Sequence, residues 1–246
     1  MRALEEKTAL VTGAAKRLGR ATAMLLAEHG ANVVVHYNAS VREADETAAA
    51  IRTNGVKSWT LAADLSNPDS APLLLERAIA EAGAVDILVN SASIFPADRL
   101  AEVSAGSVEK NLRVNAVSPL NLCREFARQG RPGSIVNFLD ARMLDHDPEH
   151  VSYHLSKRVL FTLTQMMALE FAPLVRVNAV APGLVLPPAG KDDAYLDALA
   201  HTNPLNTRGG PEDVANAVLF LVTAPFITGQ VIYVDGGRHL RGGLYH

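Results

Sequence analysis

The sequence has little cysteine, no excess of basic residues and no long uninterrupted apolar run. Its only cysteine, Cys123, excludes an internal disulfide and a cysteine-rich metal site, and favours a reducing, cytoplasmic setting. The 23 Lys and Arg residues are outnumbered by 26 Asp and Glu residues, whereas a dedicated nucleic-acid-binding protein carries a basic excess. We therefore expect no nucleic-acid partner.

Apolar stretches that could enter a membrane are short or interrupted. Met1–Leu4 runs directly into the charged Glu5–Lys7, so the apolar core of an export signal is absent. The longest uncharged stretch, Val214–Val234, contains Asn, Pro, Gly and Gln, which indicates a buried helix, a turn and a buried strand and not a membrane span. We expect a soluble protein with no membrane partner.

Short β-branched runs alternate with longer amphipathic stretches along the whole chain. The predicted strands are Thr8–Thr12, Asn32–His36, Ser58–Ala62, Asp86–Asn90, Ser134–Phe138, Val175–Val180 and Gln230–Val234. The predicted helices are Leu18–Glu28, Val41–Thr53, Ser70–Ala82, Ser107–Gln129, Val151–Phe171 and Pro211–Leu221. The strands lack polar alternation, which is typical of parallel strands covered on both faces. The pattern predicts a single α/β domain over residues 1–246, a doubly wound Rossmann-type sheet of seven parallel strands with helices on both faces.

The turn after the first strand is suited to a pyrophosphate. It runs from Thr12 to Gly19 and leads directly into a predicted helix. Glycine lets the backbone approach a phosphate closely, and the helix N-terminus supplies amide donors. The spacing is not the usual G-x-G-x-x-G, so an ordinary strand–helix turn is the alternative. The position after the first strand of an alternating chain favours dinucleotide binding.

The end of the second strand indicates which dinucleotide is bound. An NAD site has a carboxylate there for the ribose 2′-hydroxyl, but His36–Ser40 has none and the first carboxylate is Glu43. Arg17, in the first turn, can pair with a 2′-phosphate, although a solvated cation at a helix start is the alternative. The sequence therefore predicts NADPH as the cofactor.

Tyr153 and Lys157 are four residues apart in a helical pattern and project from the same face. An ammonium near a phenol stabilises the phenolate and lowers the phenol pKa from about 10, as proton transfer to a carbonyl or imine requires. This pair alone is common, but it coincides with the Thr12–Gly19 turn, with Asn90 at the end of the fourth strand and with Asn115 in a helix.

Together with Pro182-Gly183 after the sixth strand, these features resemble the short-chain dehydrogenase/reductase family over essentially the whole chain. The resemblance implies that Asn115, Tyr153 and Lys157 are catalytic and that Lys157 also holds the nicotinamide ribose. The residues assigned to the cofactor by the turn, the second strand and the resemblance are Gly13, Arg17, Leu18, Gly19, His36, Tyr37, Asn38, Ser40, Asp64, Leu65, Asn90, Ser91, Ala92, Ser93, Lys157, Pro182 and Gly183. The family commonly forms tetramers, so a homotetramer is expected.

The sequence departs from the family pattern in three places. Asp140 stands where a catalytic serine is usual, Arg17 replaces a glycine, and Asn90–Phe95 replaces an Asn-Asn-Ala-Gly block. Each departure resembles the pteridine reductases, which reduce dihydropterins and dihydrofolates with NADPH. That resemblance implies that the 2′-phosphate is bound by Arg17, His36 and Ser40. It further implies that the substrate is bound by Ser93, Phe95, Asp140 and Tyr153, with Phe95 offering a flat face to a heteroaromatic ring.

We therefore expect hydride transfer from NADPH to a C=N bond of a dihydropterin. Two alternatives remain: a reductase of 3-oxoacyl thioesters or other ketones, and a cofactor-sensing regulatory protein without turnover. The segment 184–210 is expected to be a mobile lid over the substrate, with Arg208 closing it against a carboxylate or phosphate; a solvated surface excursion is the alternative. The cluster of His146, Asp147, Glu149 and His150 contains Pro148 and is interpreted as a loop, so no metal is expected.

Overall fold

In the computed structural model, which describes residues 2–188 and 190–241, the centre of the molecule is one parallel β-sheet. Within that part of the chain the strands are β1 Thr8–Val11, β2 Asn32–Tyr37, β3 Ser58–Ala62, β4 Ile87–Asn90, β5 Gly133–Phe138, β6 Val175–Pro182 and β7 Val231–Val234. Their order across the sheet is β3-β2-β1-β4-β5-β6-β7. The predicted seven-stranded Rossmann-type sheet is confirmed, with strand ends differing from the prediction by at most two residues.

Helices cover both faces of this sheet. They are α1 Arg17–Glu28, α2 Val41–Arg52, α3 Ser70–Ala82, α4 Ala105–Leu112, α5 Ser118–Arg128, α6 Val151–Glu170, α7 Asp193–Leu199 and α8 Pro211–Thr223. Since side chains alternate along a strand, Ala9 and Val11 of β1 pack with α1, α2 and α8, whereas Leu10 packs with α3, α5 and α6. This two-sided burial explains why the strands lack polar alternation.

The single helix predicted over Ser107–Gln129 is interrupted by a wider turn. Between α4 and α5, Arg113–Val117 forms a π-helical turn in which the Ser118 amide donates to the Arg113 carbonyl. The next residue, Pro119, has no amide hydrogen, so the regular bond to the carbonyl four residues earlier cannot form and the helix widens there. The turn contains the predicted catalytic residue Asn115.

The uncharged stretch Val214–Val234 contains most of α8, a turn and β7, as its composition indicates. In residues 2–188 and 190–241, no helix has both the length and the apolar character needed to cross a membrane.

The order of the strands reverses at β1. β2 and β3 lie on one side of β1 in the sheet, and β4 to β7 lie on the other side. In open α/β sheets a ligand cleft opens at such a switch point, outside the carboxyl ends of the strands. The turn after β1 and the segments after β4, β5 and β6 meet at this edge.

Candidate active site

A cleft of about 920 Å³ lies at the carboxyl ends of the strands. The predicted site residues that line it are Gly13, Arg17, Leu18, Gly19, Tyr37, Asn38, Ser40, Ser91, Ala92, Ser93, Phe95, Asp140, Tyr153, Lys157, Pro182 and Gly183. The structure therefore brings together most of the residues that the sequence assigned to cofactor and substrate. Five predicted residues do not line the cleft: His36, Asp64, Leu65, Asn90 and Asn115.

The turn after β1 forms one wall of the cleft from backbone atoms. Gly13 has a φ of 65°, and a Cβ there would lie 2.9 Å from the Ala92 Cα atom. At Gly19 a Cβ would lie 2.3 Å from the Gly13 carbonyl oxygen. Thr12 joins this turn to the segment after β4, since its hydroxyl oxygen accepts from the Ser91 and Ala92 amides at 3.0 Å each. A backbone wall that excludes Cβ atoms fits the close approach of a dinucleotide pyrophosphate.

His36 supports this turn from behind. Its ring is buried, Nδ1 accepts from the Gly13 amide at 3.2 Å, and Nε2 lies 3.0 Å from the Ala63 carbonyl oxygen, to which it donates. Both ring nitrogens are thus bonded to protein, and neither faces the cleft. Burial lowers the pKa of His36 to about 4, so the ring is neutral in the folded protein at physiological pH.

We predict that His36 makes the protein sensitive to acid. Below the ordinary histidine pKa of 6.5, His36 is protonated in the unfolded chain, whereas in the folded chain it stays neutral down to about pH 4. Stability therefore falls as the pH drops through this window, by roughly 2 to 3 kcal/mol between pH 7 and pH 4.5. Denaturant unfolding at the two pH values should show this loss in the wild type but not in His36→Asn. His146→Asn, at an exposed histidine, is the control and should lose as much stability as the wild type. A loss of stability in His36→Asn equal to that of the wild type would contradict the assignment.

Asp140, Tyr153 and Lys157 form the polar centre of the cleft. Asp140 follows β5, whereas Tyr153 and Lys157 lie one turn apart on α6. The Tyr153 hydroxyl donates to the Asp140 Oδ2 atom at 3.0 Å, and Asp140 Oδ1 accepts from the Arg142 amide at 2.7 Å. The Lys157 ammonium is buried, donates to the Phe138 carbonyl at 2.7 Å and lies 5.6 Å from the centre of the Tyr153 ring.

Tyr153 and Lys157 on α6 both have shifted pKa values. Burial raises the pKa of Tyr153 well above its usual range, and the Asp140 carboxylate raises it further. Burial lowers the pKa of Lys157 to about 8, an effect that Asp140 opposes. The sequence predicts that the Lys157 ammonium lowers the pKa of the Tyr153 phenol, whereas the structure gives the opposite direction. In the structure burial and the carboxylate dominate, so Tyr153 keeps its proton at neutral pH and is suited to act as an acid.

Phe95 stands beside this centre. Its ring stacks on His150, with centroids 4.0 Å apart and an angle of 14°, and meets Tyr153 edge-on at 4.6 Å and 85°. The side chain nevertheless remains 48% exposed. One face is therefore covered by an imidazole, and the ring still offers apolar surface to the cleft.

Two polar side chains, the buried Asn115 and the partly exposed Asp98, hold the segment that carries Phe95. Asn115 bonds to both backbone groups of Ile94, accepting from the amide at 2.9 Å and donating to the carbonyl at 3.0 Å. Asp98 accepts from the Ser152 amide at 3.0 Å and from the Ser152 hydroxyl, which ties the segment to the start of α6. Asn115 thus positions a wall of the cleft from the π-helical turn, without lining the cleft itself.

The other predicted residues outside the cleft have structural partners. Asp64 accepts from the Ser66 amide at 2.9 Å, and the Leu65 carbonyl accepts from the Ser118 hydroxyl at 2.7 Å. Asn90 donates to the Asn137 side chain at 2.9 Å and to the Cys123 sulfur at 3.3 Å. Burial raises the pKa of that thiol to about 12, which makes it unreactive.

The segment over the substrate end of the cleft contains α7. Arg208 pairs with two carboxylates of this helix, Asp193 at 2.6 Å and Asp197 at 3.1 Å. Both carboxylates belong to the same segment 184–210 as Arg208, so these ion pairs are internal to the expected lid. In the 146–150 loop, a carboxylate oxygen of Asp147 lies 3.2 Å from Nδ1 of His150. No group of three metal-ligating side chains occurs among the residues that the structure describes.

The cleft-lining residues that sequence reasoning missed include Arg142, Arg238 and His150, the last as the partner of Phe95. Arg142 comes two residues after the predicted Asp140, and Arg238 follows the last strand of the sheet. The rule that ligands bind at the carboxyl ends of parallel strands, applied to β7 as well as to β1, identifies Arg238.

The fold and the cleft are those of an oxidoreductase with a dinucleotide site. The chain belongs to the short-chain dehydrogenase/reductase family: the family model described as "Enoyl-(Acyl carrier protein) reductase" matches residues 13–239. The similarity to individual proteins extends over nearly the whole chain.

Three similar proteins show how varied the activities on this scaffold are. L-rhamnose 1-dehydrogenase (NAD(P)(+)) of a Sphingomonas species is 32% identical, with 98% of this chain and 99% of the relative covered. The 3-oxoacyl-[acyl-carrier-protein] reductase FabG of Staphylococcus epidermidis is 32% identical, with coverages of 95% and 99%. The crystal structure of FolM alternative dihydrofolate reductase 1 from Brucella canis, complexed with NADP, has a TM-score of 0.91 at 31% identity, with 98% and 96% covered.

Proposed function

We propose that this protein is an NADPH-dependent reductase that transfers hydride to the C=N bond of a dihydropterin such as dihydrofolate. The observation that carries the proposal is the hydrogen bond from the Tyr153 hydroxyl to Asp140, next to the half-exposed ring of Phe95. A protonated tyrosine suits an imine nitrogen, which must gain a proton when its carbon gains hydride. The similarity to FolM alternative dihydrofolate reductase 1 supports the same substrate class.

The residues that would hold NADPH are arranged for a phosphorylated ribose. Tyr37, the last residue of β2, lines the cleft together with Asn38 and Ser40, and none of the three is a carboxylate. Glu43 forms an ion pair with the Lys16 ammonium at 3.6 Å. Arg17 adds a second cation at this end. The wall at Gly13 and Gly19 would take the pyrophosphate. When bound, NADPH supplies the hydride. The choice of cofactor is supported by similar structures that contain bound NADP.

The protein's part in the reaction is to deliver a proton and to stabilise the charge that results. Tyr153 would donate its proton to the imine nitrogen, and the Lys157 ammonium beneath its ring would stabilise the phenolate left behind. Asp140 holds the hydroxyl in place until the substrate arrives. Phe95 would pack against the flat face of the pterin and exclude water.

A second candidate, reduction of a 3-oxoacyl thioester or another ketone, is favoured by the similarity to FabG. A Tyr–Lys pair can also protonate a carbonyl oxygen when its carbon gains hydride. Asp140 distinguishes the two reactions, because a carboxylate can also accept from the amino and ring N–H groups of a pterin, whereas a ketone offers no such donors.

The test is NADPH oxidation by the purified protein with dihydrobiopterin, dihydrofolate and acetoacetyl thioester as separate substrates. We expect turnover with one or both dihydropterins and a kcat/KM far lower for the thioester. Preferred turnover of the thioester would establish the ketone reductase instead. NADPH binding without turnover of any of the three would indicate a cofactor-sensing protein.

A further inference from the structure

Six cationic side chains line the cleft, and they differ in their hydrogen-bond and ion-pair partners. They are Lys16, Arg17, Arg142, Lys157, Lys191 and Arg238. Lys157 donates to the Phe138 carbonyl at 2.7 Å, as described above. Lys16 pairs with Glu43 at 3.6 Å, Arg17 donates to the Pro187 carbonyl at 2.7 Å, and Arg142 pairs with Asp145 at 3.2 Å.

Arg238 is the exception among the three arginines. Within residues 2–188 and 190–241 its guanidinium makes no hydrogen bond and no ion pair, although the residue is half-buried. Lys191 is an exposed residue of the segment over the cleft, so water can solvate it. Water is less available to Arg238.

A half-buried guanidinium without a partner is costly, and the chain shows how it otherwise satisfies one. Arg176, half-buried on β6, donates to the carbonyls of Leu221, Val222 and Ile227 at 2.9 to 3.0 Å. Burial lowers the pKa of Arg238 and the nearby Arg142 lowers it further, whereas Asp140, Tyr195 and Asp145 raise it without cancelling the net decrease. An anionic ligand would relieve both effects.

The position of Arg238 determines which part of a ligand it would meet. It begins the short helix Arg238–Arg241 after β7, and Asp140, Asp145 and Tyr195 lie within electrostatic range of it. Arg238 therefore stands at the substrate end of the cleft, near the reacting centre and next to α7. The dinucleotide wall at Gly13 is formed by other strands.

We propose that Arg238 binds a carboxylate of the substrate, so that the preferred substrate is a dihydropterin with an acidic tail, a dihydrofolate, and not an uncharged dihydropterin. The inference rests on the proposed function for the pterin ring. The planar guanidinium can donate two parallel hydrogen bonds to a carboxylate, which fixes the orientation of the carboxylate as well as adding affinity. With the pterin ring at Asp140 and Phe95, the glutamyl tail of a dihydrofolate would extend toward α7 and Arg238.

The first test compares kcat/KM for dihydrofolate and for dihydrobiopterin, which lacks a carboxylate. Arg238→Gln should lower the ratio of the two values by roughly 10- to 100-fold, mainly through the KM for dihydrofolate, since a charged hydrogen-bond partner is lost. Arg238→Lys, which keeps the charge but not the planar fork, should lower the ratio less. Arg241→Gln removes a charge from the same short helix outside the cleft lining and should leave the ratio unchanged.

The second test separates this inference from the proposed function. Calorimetry would measure binding of p-aminobenzoylglutamate to the NADP⁺-loaded protein, a readout that needs no turnover. If no dihydropterin is reduced but Arg238→Gln weakens binding of this probe, the proposed function fails and the carboxylate site stands. The inference would be overturned if Arg238→Gln, with a circular dichroism spectrum like that of the wild type, changed neither the ratio of kcat/KM values nor the affinity for the probe.

Discussion

Replacing Tyr153 with Phe should lower dihydropterin reduction by roughly 10²- to 10⁴-fold, the usual contribution of a positioned acid. The substitution removes only the hydroxyl that donates to Asp140 at 3.0 Å, and leaves the ring that packs against Phe95. NADPH affinity should stay close to that of the wild type, because the phosphate-binding wall is untouched. Steady-state kinetics and fluorescence titration with NADPH measure the two quantities.

Asp140→Ala should also abolish dihydropterin reduction while NADPH still binds. Its effect has two physical sources, since Asp140 orients the Tyr153 hydroxyl and helps to raise the tyrosine pKa. Asp140→Asn keeps an acceptor for that hydroxyl but removes the charge, so it should lose less activity than Asp140→Ala. Asp45→Ala, an exposed carboxylate on α2, serves as the control. Full activity in Asp140→Ala would refute the proposed role of the carboxylate.

Lys157→Met should abolish reduction and at the same time remove a pH dependence of stability. The ammonium is buried, and its pKa is about 8 in the folded protein against an ordinary value of 10.5. Between these values the unfolded chain holds a proton that the folded chain has released. The wild type therefore gains stability as the pH rises through this window, by about 2 kcal/mol between pH 7.5 and pH 9.5.

Chemical unfolding at those two pH values measures this gain. The gain should be missing in Lys157→Met and present in Lys57→Met, which removes an exposed ammonium just before β3. At neutral pH, removing the buried charge stabilises the folded protein, and leaving the Phe138 carbonyl without its donor destabilises it. Because the two effects offset each other, the free energy of unfolding of Lys157→Met should lie at most about 1 kcal/mol below that of the wild type. An equal gain in wild type and Lys157→Met would show that this ammonium is not the titrating group.

Features set by local sequence pattern were predictable. The continuous apolar runs of β1 and β2 indicate burial on both faces, and the helices on the two sides of the sheet confirm it. The turn from Thr12 to Gly19 could be found because its glycines follow the first strand. The positions of Tyr153 and Lys157 on one helix face follow from their spacing.

Features that depend on contacts distant in the sequence were not predictable. The ring of His36 faces the Gly13 amide, 23 residues away, and the sequence does not show on which side of β2 that amide lies. The pKa of Tyr153 depends on its distance from Asp140, which follows a different element. Arg238 reaches the cleft only because β7 pairs with β6 at the edge of the sheet.

The most direct measurement of the central claim follows the hydride itself. NADPH deuterated at the transferable position would be incubated with the protein and 7,8-dihydrofolate, and the product would be analysed by mass spectrometry and NMR. We expect tetrahydrofolate with one deuterium on the former imine carbon for each NADPH oxidised. The same assay with acetoacetyl thioester is the comparison. Deuterium in the hydroxyacyl product, with dihydrofolate left unreduced, would contradict a pterin reductase and identify the protein as a ketone reductase.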